Sequence, residues 1–302
     1  VAQAINDYLD GKEPMLPGPD FPTGGLVINQ NDLPNIIKTG HGSVKVRGKY
    51  KIDKRQIIFY EIPYGVSTEN LLAEIGKACE AKEIEGITDI RDESNKKGLR
   101  IVFECSKDIN PEAVVMQLFA KTDLQTSISY NQVALVNKTP TELGLKDCIK
   151  IYVDHNLNCI RREAQFDLEK ALARKEIVSG LLKALEDIDN IIALIKKSAS
   201  AAEAKIALTK TYEFTEAQAQ AIVDMKLGKL AGLEKIELEK ENMELSEKIS
   251  SLQALISKED LQIVELRTRL AEIVKKYGDA RRTELTNIDI KPEEKEKANI
   301  IP

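Results

Sequence analysis

A chain of 302 residues, 42% hydrophobic and 31% charged, is long enough for two or three packed units, and no apolar run approaches the ~20 residues that span a bilayer. Cys79, Cys105, Cys148 and Cys159 form no C-x-x-C pair and have no histidine at zinc-site spacing, which argues against a disulfide framework or a zinc site. The net charge of −5 would argue against nucleic acid if the cations were evenly spread, but they are concentrated.

The first residues, with Ala4, Ile5, Tyr8 and Leu9 at helical spacing, read as the interior of a longer chain. They carry no basic segment followed by an apolar core, so a secretory signal is not expected and the cytoplasm is the expected compartment. A Pro/Gly stretch from Pro14 to Gly25 predicts an ordered irregular loop. From Ser43 the period changes to two: Val44, Val46, Tyr50 and Ile52 alternate with Lys45, Arg47, Lys49 and Lys51, with Gly48 on the apolar side. This predicts one strand with four cations on one face, a row about 20 Å long that can follow several phosphates. An outer face or edge strand protected by lysines is the plainer alternative.

Beyond it the predicted order is strand (56–62), helix (68–82), strand (87–91), strand (99–105), helix (111–121) and strand (126–136), a split-βαβ layout. Asn110-Pro111 supplies a helix cap followed by Pro in the first turn, and Asn95-Lys96-Lys97-Gly98 suits a hairpin. After Leu145 the chain reads as helix. Leu245, Ile249, Leu252, Ile256, Glu259, Ile263, Leu266, Leu270, Ile273 and Tyr277 step by four and three, with only Glu259 interrupting the apolar seam. A looser seam through Val153, Leu157, Ile160, Ala164, Leu168, Val178 and Leu185 makes the helix from Leu145 its antiparallel partner. Between them Ser200-x-x-Glu203 and Thr215-x-x-Gln218 have capping-box form. Ile188, Ile191, Ile192, Leu194 and Ile195, with Ile222, Met225, Leu227 and Leu230, are more apolar than a small helical knob can cover, which predicts a dimer contact.

Five blocks occur in an order that resembles a known family. Pro17-Gly18-Pro19-Asp20-Phe21-Pro22-Thr23-Gly24-Gly25, Glu61-Ile62-Pro63-Tyr64, Arg91-Asp92-Glu93-Ser94, the run Thr215–Met225 with Leu230-Ala231-Gly232-Leu233-Glu234, and Tyr277–Leu285 with its Arg281-Arg282-Thr283 are similar to the A subunits of bacterial type IIA topoisomerases, gyrase and topoisomerase IV. The resemblance implies an α+β fold. A split-βαβ tower supporting DNA (1–140) would be followed by a first coiled-coil arm (141–187), a helical exit-gate knob (188–232), a second arm (233–285) and a charged tail (286–302). It implies an enzyme subunit that, as a homodimer in an A2B2 complex with the B subunit, cuts and religates double-stranded DNA. ATP and Mg2+ would enter through the B subunit, with no cofactor held by this fragment.

The family's cutting tyrosine stands in an Ala-Ala-Met-Arg-Tyr-Thr-Glu setting that none of the eight tyrosines here shares, so no catalytic residue is carried over and the fragment is expected to be inactive alone. In the Thr39-Gly40-His41-Gly42 turn the family usually has Arg where this chain has His41. The DNA-contact candidates are therefore Lys45, Arg47, Lys49, Lys51 and His41, and the dimer-gate candidates Ile222, Met225, Leu227 and Leu230. Arg281 and Arg282 suit phosphate or a local structural pairing equally. His41 and His155 lack an evident carboxylate relay, so no histidine-based catalysis is expected. A non-enzymatic coiled-coil scaffold with a hinge-like knob would explain the helices but not the ordered motifs before them. A split-βαβ nucleic-acid module would need an aromatic sheet platform that is missing.

Overall fold

The computed structural model describes residues 1–225 and 232–288, with the side chains of 232–234 excepted. It is a mixed α+β chain of small sheets followed by long helices, and it divides into two compact units, residues 1–151 with 274 onward and residues 152–273.

The first unit opens with α1 (Ala2–Leu9), the expected irregular loop, and then β1 (Leu26–Val27). A short helix unforeseen in the pattern, α2 (Leu33–Thr39), has Pro34 in its first turn and ends at Gly40 in a left-handed conformation, φ 81°. A Cβ on Gly40 would lie 2.3 Å from the Leu143 carbonyl oxygen, so only glycine closes this helix here. The long basic strand is in fact two strands, β2 (His41–Arg47) and β3 (Lys49–Asp53), and this corrects the expectation of a single continuous row. Burial does alternate through both, with Val44, Val46 and Gly48 buried. The interruption is at Gly48, whose N–H donates to the Leu124 carbonyl at 2.8 Å. Any Cβ there would meet the Glu61 carbonyl oxygen at 2.7 Å. The break lets the chain change sheets: β2 pairs with β1 and with β7 (Gln125–Asn131), whereas β3 pairs with β4 (Gln56–Glu61).

The second sheet has the order β3-β4-β6-β5, with β5 at Ile87–Asp92 and β6 at Ile101–Cys105, and all its pairs are antiparallel. Helices α3 (Thr68–Glu80) and α4 (Pro111–Lys121) bury Leu71, Ile75, Val114, Val115 and Leu118 against Ile57, Phe59, Ile101 and Phe103 of this sheet. Asn110 caps α4 as expected, accepting from the Glu112 N–H at 3.1 Å. In a closed split βαβ the last strand would lie beside the first. Here β3 holds that edge and β7 joins the other sheet, so the layout holds in order but not in pairing. The predicted strand 126–136 is also divided at Gln132, after which β8 (Val133–Val136) and β9 (Thr139–Glu142) form a separate hairpin. Its turn residues Asn137 and Lys138 both have positive φ, the conformation of a two-residue hairpin loop.

Helix α5 (Leu145–Glu186) begins in the first unit and continues into the second. From Val153 onward its predicted seam is buried through Val178, and Leu185 packs on the edge of the helical core. The antiparallel partner is α9 (Gly232–Ser257) followed by α10 (Glu259–Tyr277). Arg174 pairs with Glu241 and Arg161 donates to Gln262, so sequence rises on one helix as it falls on the other. The partner helix is not continuous. It breaks at Lys258, beside the Glu259 that interrupts the seam, and Gln262 is buried in place of Ile263. The Gln262 amide donates to the Leu255 and Ile256 carbonyls at 2.8 and 3.1 Å, replacing donors the break removes. Ile273 and Tyr277, predicted to continue the seam, are exposed.

Between these helices lie α6 (Ile188–Lys197), α7 (Ala201–Tyr212) and α8 (Glu216–Val223). Ser200 accepts from the Glu203 N–H, and Thr215 with Gln218 forms a complete capping box, so both helices start where the sequence marks them. Phe214, Leu208, Ala219, Ile191 and Val178 form the core of this helical cluster.

Candidate nucleic-acid and dimer interfaces

The four predicted strand cations have four different environments. Lys45 on β2 and Lys51 on β3 have exposed side chains. Arg47 is half-buried, with Nε donating to Gln125 Oε1 at 2.5 Å and its guanidinium 4.8 Å from the centre of the Phe119 ring. Lys49 is the most enclosed, with 12% of its side chain accessible, and pairs with Glu61 at 3.1 Å and Glu284 at 2.9 Å. Burial pulls its ammonium pKa down, but hydrogen bonds to Glu284 and Glu61 outweigh burial and leave it raised. Lys49 is therefore a charged structural joint, held by two carboxylates of the fold. His41 is exposed at the start of β2, with Nδ1 3.9 Å from Glu142.

Lys49 belongs to a larger polar clasp that sequence spacing could not reveal. Glu61 also accepts from the Gly25 N–H at 2.6 Å. Glu284 lies on β10 (Glu284–Leu285), which runs parallel to β1 at the edge of the first sheet. Just before it, Asp20 accepts from the backbone N–H groups of Arg282 and Thr283 at 3.1 and 2.9 Å. The Thr283 N–H is the chief reason the Asp20 carboxyl sits below the usual range. Thr283, 1% exposed, accepts from the Phe21 N–H and donates to the Gly24 carbonyl. Arg281 donates to the Gly18 and Pro19 carbonyls, and Arg282 to the Pro22 carbonyl and to Asp279. The two arginines thus hold the Pro17–Gly25 loop, a structural pairing of the kind the sequence allowed. The motifs at both ends of this contact were legible in the sequence, but their 260-residue separation hid their partnership.

In the second unit, Ile188, Ile191, Ile192, Ile195, Ile222, Val223 and Met225 line a groove of about 250 Å3. Ile222 itself is 2% exposed and belongs to the helical core, so it forms the floor of that groove more than an outer face. Met225 is half-buried at the edge of that core. Leu227 and Leu230 lie outside the described residues.

No group of three His, Cys, Asp or Glu side chains could hold a metal ion among the described residues, and none of their helices is long and apolar enough to cross a membrane. His155 instead lies 3.5 Å from Cys159 on the next turn of α5.

The chain joins small sheets to long helices, with the loop and Arg-Arg-Thr motifs clasped together. Residues 1–271 match the family model for the A subunit of DNA gyrase/topoisomerase IV, and the chain belongs to that family of type IIA topoisomerase subunits. It is 40% identical over 275 residues to the DNA gyrase A subunit of Aminobacterium colombiense, a match covering 89% of this chain and 34% of that protein. Against the DNA gyrase A subunit of Metamycoplasma arthritidis the identity is 41% over 285 residues, covering 92% and 31%. For that of Fibrobacter succinogenes it is 41% over 289 residues, covering 93% and 32%. The chain therefore spans about a third of the length of these curated relatives.

Proposed function

We propose that this chain is the DNA-supporting and exit-gate portion of a topoisomerase A subunit. In the complete enzyme, one duplex is cut and held open while a second passes through and leaves by the gate. The first unit lies beside the cut duplex, the paired helices act as arms, and the helical cluster around Ile188–Met225 meets its counterpart in a second copy of the chain. The B subunit supplies ATP hydrolysis and the magnesium-binding carboxylates, so the carboxylates of this chain are assigned no metal chemistry. The observation that carries this reading is the family match over residues 1–271. The apolar groove lined by Ile188, Ile192 and Ile195 supports the gate assignment.

Sedimentation equilibrium tests the gate: a dimer is expected at micromolar concentration, and Ile192→Asp is expected to yield monomer. A monomeric parent protein would overturn the gate. Joining the chain to the sequence that precedes it in its natural protein, with ATP and the B subunit added, is expected to restore DNA relaxation or supercoiling. A folded complex that makes no cleavage product would overturn the enzyme reading.

A further inference from the structure

The eleven residues from Lys45 to Arg55 contain six cations and a single acid, Asp53, in a chain whose net charge is −5. Arg47 and Lys49 are engaged within the fold. Lys51, Lys54 and Arg55 are exposed and have no side-chain partner among the described residues. They lie close together, because Asp53 pairs with Gln56 across β3 and β4 and leaves Lys54-Arg55 as a two-residue hairpin loop.

Lys54 has φ 56°, in the left-handed region. The first position of such a loop favours glycine, asparagine or aspartate, since a Cβ there crowds the following carbonyl. The exposed Lys54 side chain gains no packing that would offset this crowding. What lysine adds over glycine at this position is a charge on a long, mobile stem.

We propose that the β3–β4 hairpin tip, formed by Lys51, Lys54 and Arg55, is a phosphate-binding site for the backbone of double-stranded DNA. The proposal rests on the reading of the first unit as a DNA support, and it moves the main contact from the predicted row to the turn beyond it. Three exposed cations on one hairpin tip suit a polyanion with repeated charges better than a protein partner, whose interface would add an apolar core. Sequence-independent binding is expected, because phosphate contacts carry no base information.

The test measures binding of the 302-residue chain to a 20-base-pair duplex by fluorescence anisotropy over a series of salt concentrations. Each phosphate contact contributes about 0.9 to the slope of log K against log salt. The triple variant Lys51→Ala/Lys54→Gly/Arg55→Ala is expected to flatten that slope by about 2–3. Lys54→Gly alone should flatten it by about 0.9 with its thermal midpoint unchanged or raised, since glycine suits the turn. Lys97→Ala, at an exposed lysine in the turn between β5 and β6, should leave the slope unaltered. Slopes for Lys54→Gly and the triple variant equal to the parent's would overturn this proposal while leaving DNA support intact. A parent chain that does not bind the duplex at low salt would overturn both.

Discussion

The first unit is closed by charge and the second by hydrocarbon. Around β1 and β10, Lys49, Glu61, Glu284, Asp20 and Thr283 form a clasp that joins residues about 260 positions apart. In the helical unit the equivalent work falls to Phe214, Leu208, Ile191 and Val178, and Gln262 is a rare buried polar side chain within it. A cation in the first unit can therefore be a structural part, and its sequence neighbourhood does not reveal which cations are. Lys49 and Lys51 are two residues apart in one strand, yet one is enclosed by two carboxylates and the other is exposed.

Four perturbations would sharpen or break this contrast. The largest effect is expected from Phe214→Ala, which empties the centre of the helical cluster and should cost about 3–5 kcal/mol. Denaturant unfolding followed by circular dichroism measures it, and a loss below about 1 kcal/mol, far under that of a filled core position, would show that the cluster is not held by this packing. Lys49→Ala comes next, because it leaves Glu61 and Glu284 facing each other without a cation; about 2–4 kcal/mol is expected, discounted for the exposure of Glu284. If Lys49→Ala unfolds at the parent's midpoint, the clasp has no energetic role.

Thr283→Val keeps the shape but removes the hydroxyl that serves Phe21 and Gly24, for an expected loss of about 1–3 kcal/mol. Gln262→Leu is the most informative of the small changes. A leucine suits the apolar seam, yet the Leu255 and Ile256 carbonyls lose their donors, so a loss of about 1–2 kcal/mol is expected. A gain in melting temperature would mean that the helix break tolerates a dry seam.

The clasp also has a pH signature. Asp20 has a folded-state pKa below its ordinary value of about 4. Its contribution is present above that ordinary value and is lost as pH falls through the depressed folded value. Lys49 is raised, so its contribution persists through neutrality and fades only as pH rises through the folded value. Acidification below about pH 4 should therefore increase hydrogen exchange at the Thr283 amide before it affects amides in the helical core.

Features set by neighbours in sequence were legible from the sequence. Helices α3 and α4, strands β4, β5 and β6, the Asn110, Ser200 and Thr215 caps, the first long seam and much of the second follow from local periodicity and capping chemistry. Gly48 was misleading because the alternation of burial continues through it, while the strand break depends on the Glu61 and Leu124 carbonyls brought there by the fold. The role of Lys49 depended on Glu284, and that of Arg281 on the Gly18 and Pro19 carbonyls, partners that only the fold brings within reach. Helical spacing alone did not show that Ile222 lies on the inner face of the helical cluster, at 2% exposure.

The pairing of β10 with β1 bears on how the chain is made. The helical unit interrupts the first unit in sequence, so β1 reaches the ribosome exit long before its edge partner has been synthesised. At about 5–20 residues per second, the roughly 250 residues between β1 and β10 take on the order of 13–50 s to emerge. During that interval the edge of β1 that β10 will occupy stands open and Lys49 lacks one of its two carboxylates. The helical unit, built mainly from contacts within one continuous stretch, can fold while the first unit waits for its final strand.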